Sequence, residues 1–175
     1  MTSKAKEDAV KTNGAVTSAF RDFQLEVAQR RLADAVDRED ALDAIRDIVT
    51  NLLGSEEIAL FAVEQDQAIL SLFWSFGIDA AQHSTLVAGA NPLLRRVIDG
   101  EPYVEGADRD RNGDLINFKA FVPIRLGGRT VAVLGIRTLL PQKARFNESD
   151  VQLLRFLSRE AGKALFSDSD TVQHL

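Results

Sequence analysis

The chain contains no cysteine, and only one methionine, one tryptophan, one tyrosine and two histidines in 175 residues. Without a thiol, disulfides, Cys-ligated zinc, iron–sulfur clusters, thiol catalysis and thioether-linked chromophores are all excluded. The scarcity of histidine narrows acid–base chemistry: His174 sits in the terminal tail, and His83, better placed in the irregular segment 77–90, reads as a lone surface or hydrogen-bonded residue rather than a haem or metal ligand. No apolar run approaches the ~20 residues that span a bilayer, and the polar start at Thr2-Ser3-Lys4 offers no secretion signal. A cytoplasmic location with no membrane contact is expected. Cations are not in excess either, since 21 Lys and Arg stand against 26 Asp and Glu, scattered as at Arg38-Glu39-Asp40. Nucleic-acid binding needs clustered cations and is not expected.

Catalytic signatures are missing as well. There is no HExxH, no GxSxG and no phosphate-binding glycine loop. Gly127-Gly128 precedes a strand pattern, not a helix, which makes it a turn. The acidic run from Asp108 to Asp114 lacks the flanking helices and the bidentate glutamate of an EF-hand, and reads as a solvated loop. No enzyme activity, cofactor or metal is expected.

What is present is the composition of a globular domain, 45% apolar and 27% charged, with length for one core. Residues 1–15 read as a disordered tail, 16–166 as the domain and 167–175 as a second tail. A helical pattern over 16–36 carries two apolar stripes. Val16, Phe20, Phe23 and Val27 form one; Leu25, Ala28, Leu32 and Val36 form the other. Acids at Asp37, Glu39 and Asp40 open a second helix that ends at Gly54. Residues 58–63 and 68–75 are strands apolar on both faces, joined by a polar turn. The segment 77–90 has no clear period, so a short helix and a loop remain open. Asn91-Pro92 starts a helix that runs to Gly100, Tyr103-Val104 is a short strand, and 107–117 is a polar loop.

Two β-branched runs then meet at Gly127-Gly128 as a hairpin. A helix over 148–166 follows with Asn147 as N-cap, Asp150 at N3, and Phe146 placed to staple onto Val151. Its apolar residues, Leu154, Leu157 and Ala161 among them, cover an arc of about 160°, wider than the stripe of one packed face. Both terminal helices therefore suggest a second contact, and pairing across a twofold axis would supply it. The interface candidates are Phe20, Phe23, Val27, Leu154, Leu157 and Ala161. Packing of the two helices within one chain is the alternative.

The order of these elements, with residues 93–104, Phe121-Val122-Pro123-Ile124, Val133-Leu134-Gly135-Ile136 and 146–154, resembles the GAF domain family over about residues 20–166. The resemblance implies an α+β fold: a central antiparallel sheet of five to six strands in the order 2-1-5-4-3. Terminal helices would cover one face, and a helix and loop roof the other, with a ligand pocket under 77–118. Pro123 fits such a sheet only where its missing N–H meets an unpaired edge or a bulge. The lack of cysteine sets the chain apart from the bilin-attaching and methionine sulfoxide reductase branches. Asn117-Phe118-Lys119 does not reproduce the Asn-Lys-x-Phe-Asp-Glu motif of the cyclic-nucleotide-binding branch.

Alternation along the second strand puts Ile69, Ser71, Phe73 and Ser75 on one side and Leu70, Leu72, Trp74 and Phe76 on the other. The mixed first set is the candidate pocket wall and the second the helix-facing core, although alternation alone does not fix the faces. Ser71, Phe73, Ser75, His83, Tyr103, Asn117 and Phe118 are the pocket candidates. The expected role is a dimeric interaction or signalling module acting through an unidentified signalling or scaffold partner, its pocket filled by Phe73, Trp74 and their neighbours. The alternative is a small-molecule sensor.

Overall fold

The computed structural model describes residues 3–105 and 118–166, with side chains from Lys11 onward. The loop 107–117, with Asn117 and the acidic run, and the tail 167–175 lie outside the described residues. Among the described residues four α-helices, α1 (Ser3–Ala33), α2 (Arg38–Ile48), α3 (Pro92–Ile98) and α4 (Glu148–Phe166), accompany six strands. These are β1 (Ile58–Val63), β2 (Ile69–Phe76), β3 (Thr85–Val87), β4 (Tyr103–Val104), β5 (Ala120–Leu126) and β6 (Arg129–Ile136). All pairings are antiparallel, in the order β3-β2-β1-β6-β5-β4. The expected order holds for five strands. The sixth, β3, adds an edge within the 77–90 segment, where three residues are too few to show a period.

The sheet centre is apolar on both faces because it is covered on both. On β1, Ile58 and Leu60 join a core with α2 and α4, whereas Ala59 and Phe61 join a second core under α3. The hairpin between β5 and β6 closes on Gly127 (φ 57°) and Gly128 (φ 82°), both in the left-handed region that a primed two-residue turn needs. Pro123 sits where its missing donor costs nothing, because β4 pairs only with Ala120 and Phe121 and leaves that edge of β5 open. Its carbonyl accepts the Ser158 hydroxyl of α4.

α4 starts with a reciprocal capping box. The Asn147 side chain accepts from the Asp150 N–H at 3.0 Å, and the Asp150 carboxylate accepts from the Asn147 N–H at 2.7 Å. Lys143 donates to the other Asp150 oxygen at 2.7 Å, so this 2%-exposed carboxylate is paired and hydrogen-bonded. α2 is capped by Asp37, which accepts from the Asp40 N–H, and ends through a π-helical turn over Val49–Leu53 on Gly54.

Helix α1 begins at Ser3, and Asn13-Gly14 lies inside it. Two expectations are corrected. The wide stripe of α4 is consumed within the chain: Leu154, Leu157 and Ala161 are buried between the sheet and the helices α1 and α2. Phe73 and Trp74 pack on the helix side, and Leu70 and Leu72 under α3, the reverse of the expected wall for Leu70, Leu72 and Phe73. A bulge explains the last point. Leu60 pairs with Trp74 and Phe61 with Leu72, leaving Phe73 as the extra residue, which turns two successive side chains to the same face.

Gly162 sets the distance between α4 and β5, because a Cβ there would stand 2.2 Å from the Arg125 carbonyl oxygen. Gly14, in α1, has nothing within 4 Å of a Cβ. Alanine in place of an open helical glycine gains up to ~1 kcal/mol. Gly162→Ala is instead expected to cost about 1–3 kcal/mol by overpacking, whereas Gly14→Ala is neutral or raises helicity. Urea midpoints and circular dichroism check the opposite signs; equal effects at both positions would contradict the close packing of α4.

Candidate functional site

The roof side of the sheet holds a layer of aromatic rings. Phe118 stacks on Phe121 with centroids 4.8 Å apart and meets Phe61 edge-on at 6.2 Å. Such contacts add about 0.5–1.5 kcal/mol each beyond area burial. The layer exists because β6 carries Gly135, opposite Phe121: a Cβ there would lie 2.7 Å from the Phe118 ring. Leu93, Leu94, Val97 and Ile98 of α3 close the layer from above. α3 is aimed by its cap, in which the Asn91 side chain accepts from the N–H groups of Leu93 and Leu94.

His83 stands at the border of this layer, edge-on to Phe118 at 5.7 Å. Its Nε2 is buried and has no hydrogen-bond partner among the described residues. An imidazole nitrogen held against rings without a partner is a polar handle at an otherwise apolar site.

The structure brings together some of the expected pocket residues and separates others. His83 and Phe118 touch, Tyr103 packs against the same core, and Ser75 lies on the same face of the sheet through its pairing with Ala59. Phe73 is on the opposite face, with the Arg38 guanidinium 4.9 Å from its ring centre and Phe166 edge-on at 6.4 Å. Ser71 faces the same way as Phe73 and lines a shallow depression with Glu64, Ile69 and Thr85. Phe61 and Phe121, the centre of the layer, were not among the expected residues. A lone glycine inside the β-branched run of β6 was the available signal, since a strand glycine marks a close approach.

A second surface lies on α1. Between Lys11 and Phe23 no side chain is buried, and Val16, Phe20 and Phe23 are 64%, 58% and 59% exposed. Only from Gln24 onward does α1 enter the core, through Ala28 and Leu32. Of the expected interface set, Phe20 and Phe23 are open and Val27 is half-buried; the three α4 residues are interior.

The sequence profile of the GAF domain matches residues 35–165. The chain belongs to the GAF domain family. Its fold is similar to the GAF domain of an Acinetobacter phosphoenolpyruvate-protein phosphotransferase, at 16% identity and a TM-score of 0.64, covering 89% of this chain and 98% of that one. The GAF domain of the corresponding Coxiella burnetii protein is similar at 19% identity and 0.58, covering 85% and 96%. A type II free methionine-R-sulfoxide reductase from Thermoplasma acidophilum is similar at 14% identity and 0.55, covering 82% and 96%. At these identities the likeness is one of fold. No curated protein matches in sequence. The profile begins at Ala35, so α1 lies before the matched GAF core.

The ring layer generates a sharp expectation. Gly135→Ala pushes Phe118 out of place and is expected to cost about 1–3 kcal/mol. In a Phe118→Ala background most of that cost should vanish, an interaction of at least ~0.5 kcal/mol in a double-mutant cycle by urea denaturation. Strict additivity would contradict the contact.

Proposed function

We propose that this GAF domain is a non-catalytic regulatory module that acts as a homodimer and passes its signal through protein contacts in the cytoplasm. The observation that carries the reading is the unsupported half of α1. A helix gets most of its stability in water from packing its apolar face, yet Val16, Phe20 and Phe23 face solvent on a stretch with no buried side chain. A second protein surface is the natural cover, and a second copy is always at hand. The ring layer is consistent with the same reading from the other side, because Phe61, Phe118 and Phe121 pack against one another in the buried core there. The side chains expected to fill it, Phe73 and Trp74, are on the far face.

A small-molecule sensor is the second reading, and one observation favours it: the unpartnered Nε2 of His83 beside Phe118. A planar ligand with a hydrogen-bonding edge would satisfy that nitrogen while stacking on the rings. Thermal-shift screening against a metabolite panel tests it. A hit whose stabilisation disappears in His83→Ala would favour the sensor.

For the dimer, sedimentation velocity is decisive. The wild type is expected at twice 19.2 kDa. Phe20→Glu with Phe23→Glu should weaken association by about 100-fold or more, as loss of interface hot spots does, with the thermal transition of the domain retained. A monomeric wild type at all accessible concentrations would contradict the proposal.

A further inference from the structure

We infer that α1 pairs with α1 of a second copy in parallel and in register, as a short two-stranded coiled coil with its core positions over residues 13–27 and its flanking contacts reaching Arg31. The inference rests on the homodimer reading and adds the partner's orientation. Val16, Phe20, Phe23 and Val27 recur at spacings of four, three and four, which are the alternating core positions of a heptad. Continuing the series one step toward the N-terminus reaches Asn13, which is exposed. A lone asparagine at such a position is the device that fixes register in two-stranded coils, because its amide bonds the same amide of the other helix.

Charge decides the direction. Glu26 immediately precedes the core position Val27, and Arg31 lies five residues on, the two flanking sites that face each other across a parallel pair. Both side chains are open to such a bond, at 68% and 58% exposed, and their contacts within the chain are the exposed pair of Glu26 with Arg30 at 3.1 Å and the contact of Arg31 with the half-buried Asp47 at 3.6 Å. In a parallel coil Glu26 therefore meets Arg31 of the second copy, twice by symmetry. The antiparallel arrangement that keeps the apolar residues together sets Val16 against Val27 and Phe20 against Phe23. It places Glu26 beside uncharged Thr17 and Ala19 and forms no such pair. Among the described residues nothing covers the stripe, since the core engages only the face carrying Gln24, Ala28 and Leu32.

The absence of cysteine makes the test clean. Val16→Cys alone is expected to form a disulfide-linked dimer under mild oxidation, because in-register core positions face each other. Arg31→Glu should weaken the dimer by about five- to tenfold, and Glu26→Arg in the same chain should restore it. Cross-linking only when Val16→Cys is mixed with Val27→Cys would overturn the parallel pairing while leaving the dimer intact. A wild type that sediments as a monomer would overturn both. Thermal transitions of each variant, matched to wild type, exclude misfolding as the cause.

Discussion

The constraint on which the structure depends is that β1, β5 and β6 are apolar on both faces, so the sheet must be covered twice. On one side α2 and α4 supply the cover, and α4 can approach because Gly162 admits the backbone of β5. On the other side the cover is thinner: a seven-residue helix and a layer of rings. Fully burying a large apolar side chain is worth roughly 1.5–3 kcal/mol, so the rings are a structural requirement of the roof. Phe61, Phe118 and Phe121 pack there into one buried cluster with the side chains of α3.

That division separates stability from signalling. The two cores hold the domain, while the exposed stripe of α1 lies before the matched GAF core and adds nothing to either. Apolar surface that a fold does not use for itself is available for association. The same helix enters the core at Gln24, Ala28 and Leu32 and packs there against α2 and α4.

The elements legible in the sequence were those fixed by local chemistry. The Asn147–Asp150 box, the Asn91 cap and the Gly127-Gly128 turn each set a boundary through a few neighbouring residues, and all three stand where expected. Features fixed by distant contacts were not legible. The bulge at Phe73 reverses the faces of β2, and nothing in the alternation of that strand announces it. The arc of α4 was correctly seen as too wide for one neighbour, but the second neighbour is α1 and α2 of the same chain. The polar start of α1 resembles a tail because a helix without packing has no apolar period to show. In the candidate site, His83, Tyr103 and Phe118 were visible because they flank the irregular segment. Phe61 and Phe121 were hidden in strands whose every residue reads as core.

The central claim, that the outer half of α1 is covered by a second copy, is tested most directly by amide hydrogen exchange across residues 11–23 as a function of protein concentration. Protection in this segment should rise with concentration, while that of α4 and β6 stays constant, because only the former depends on association. Rapid exchange of residues 11–23 at every concentration would show a frayed, unpartnered helix and contradict the account.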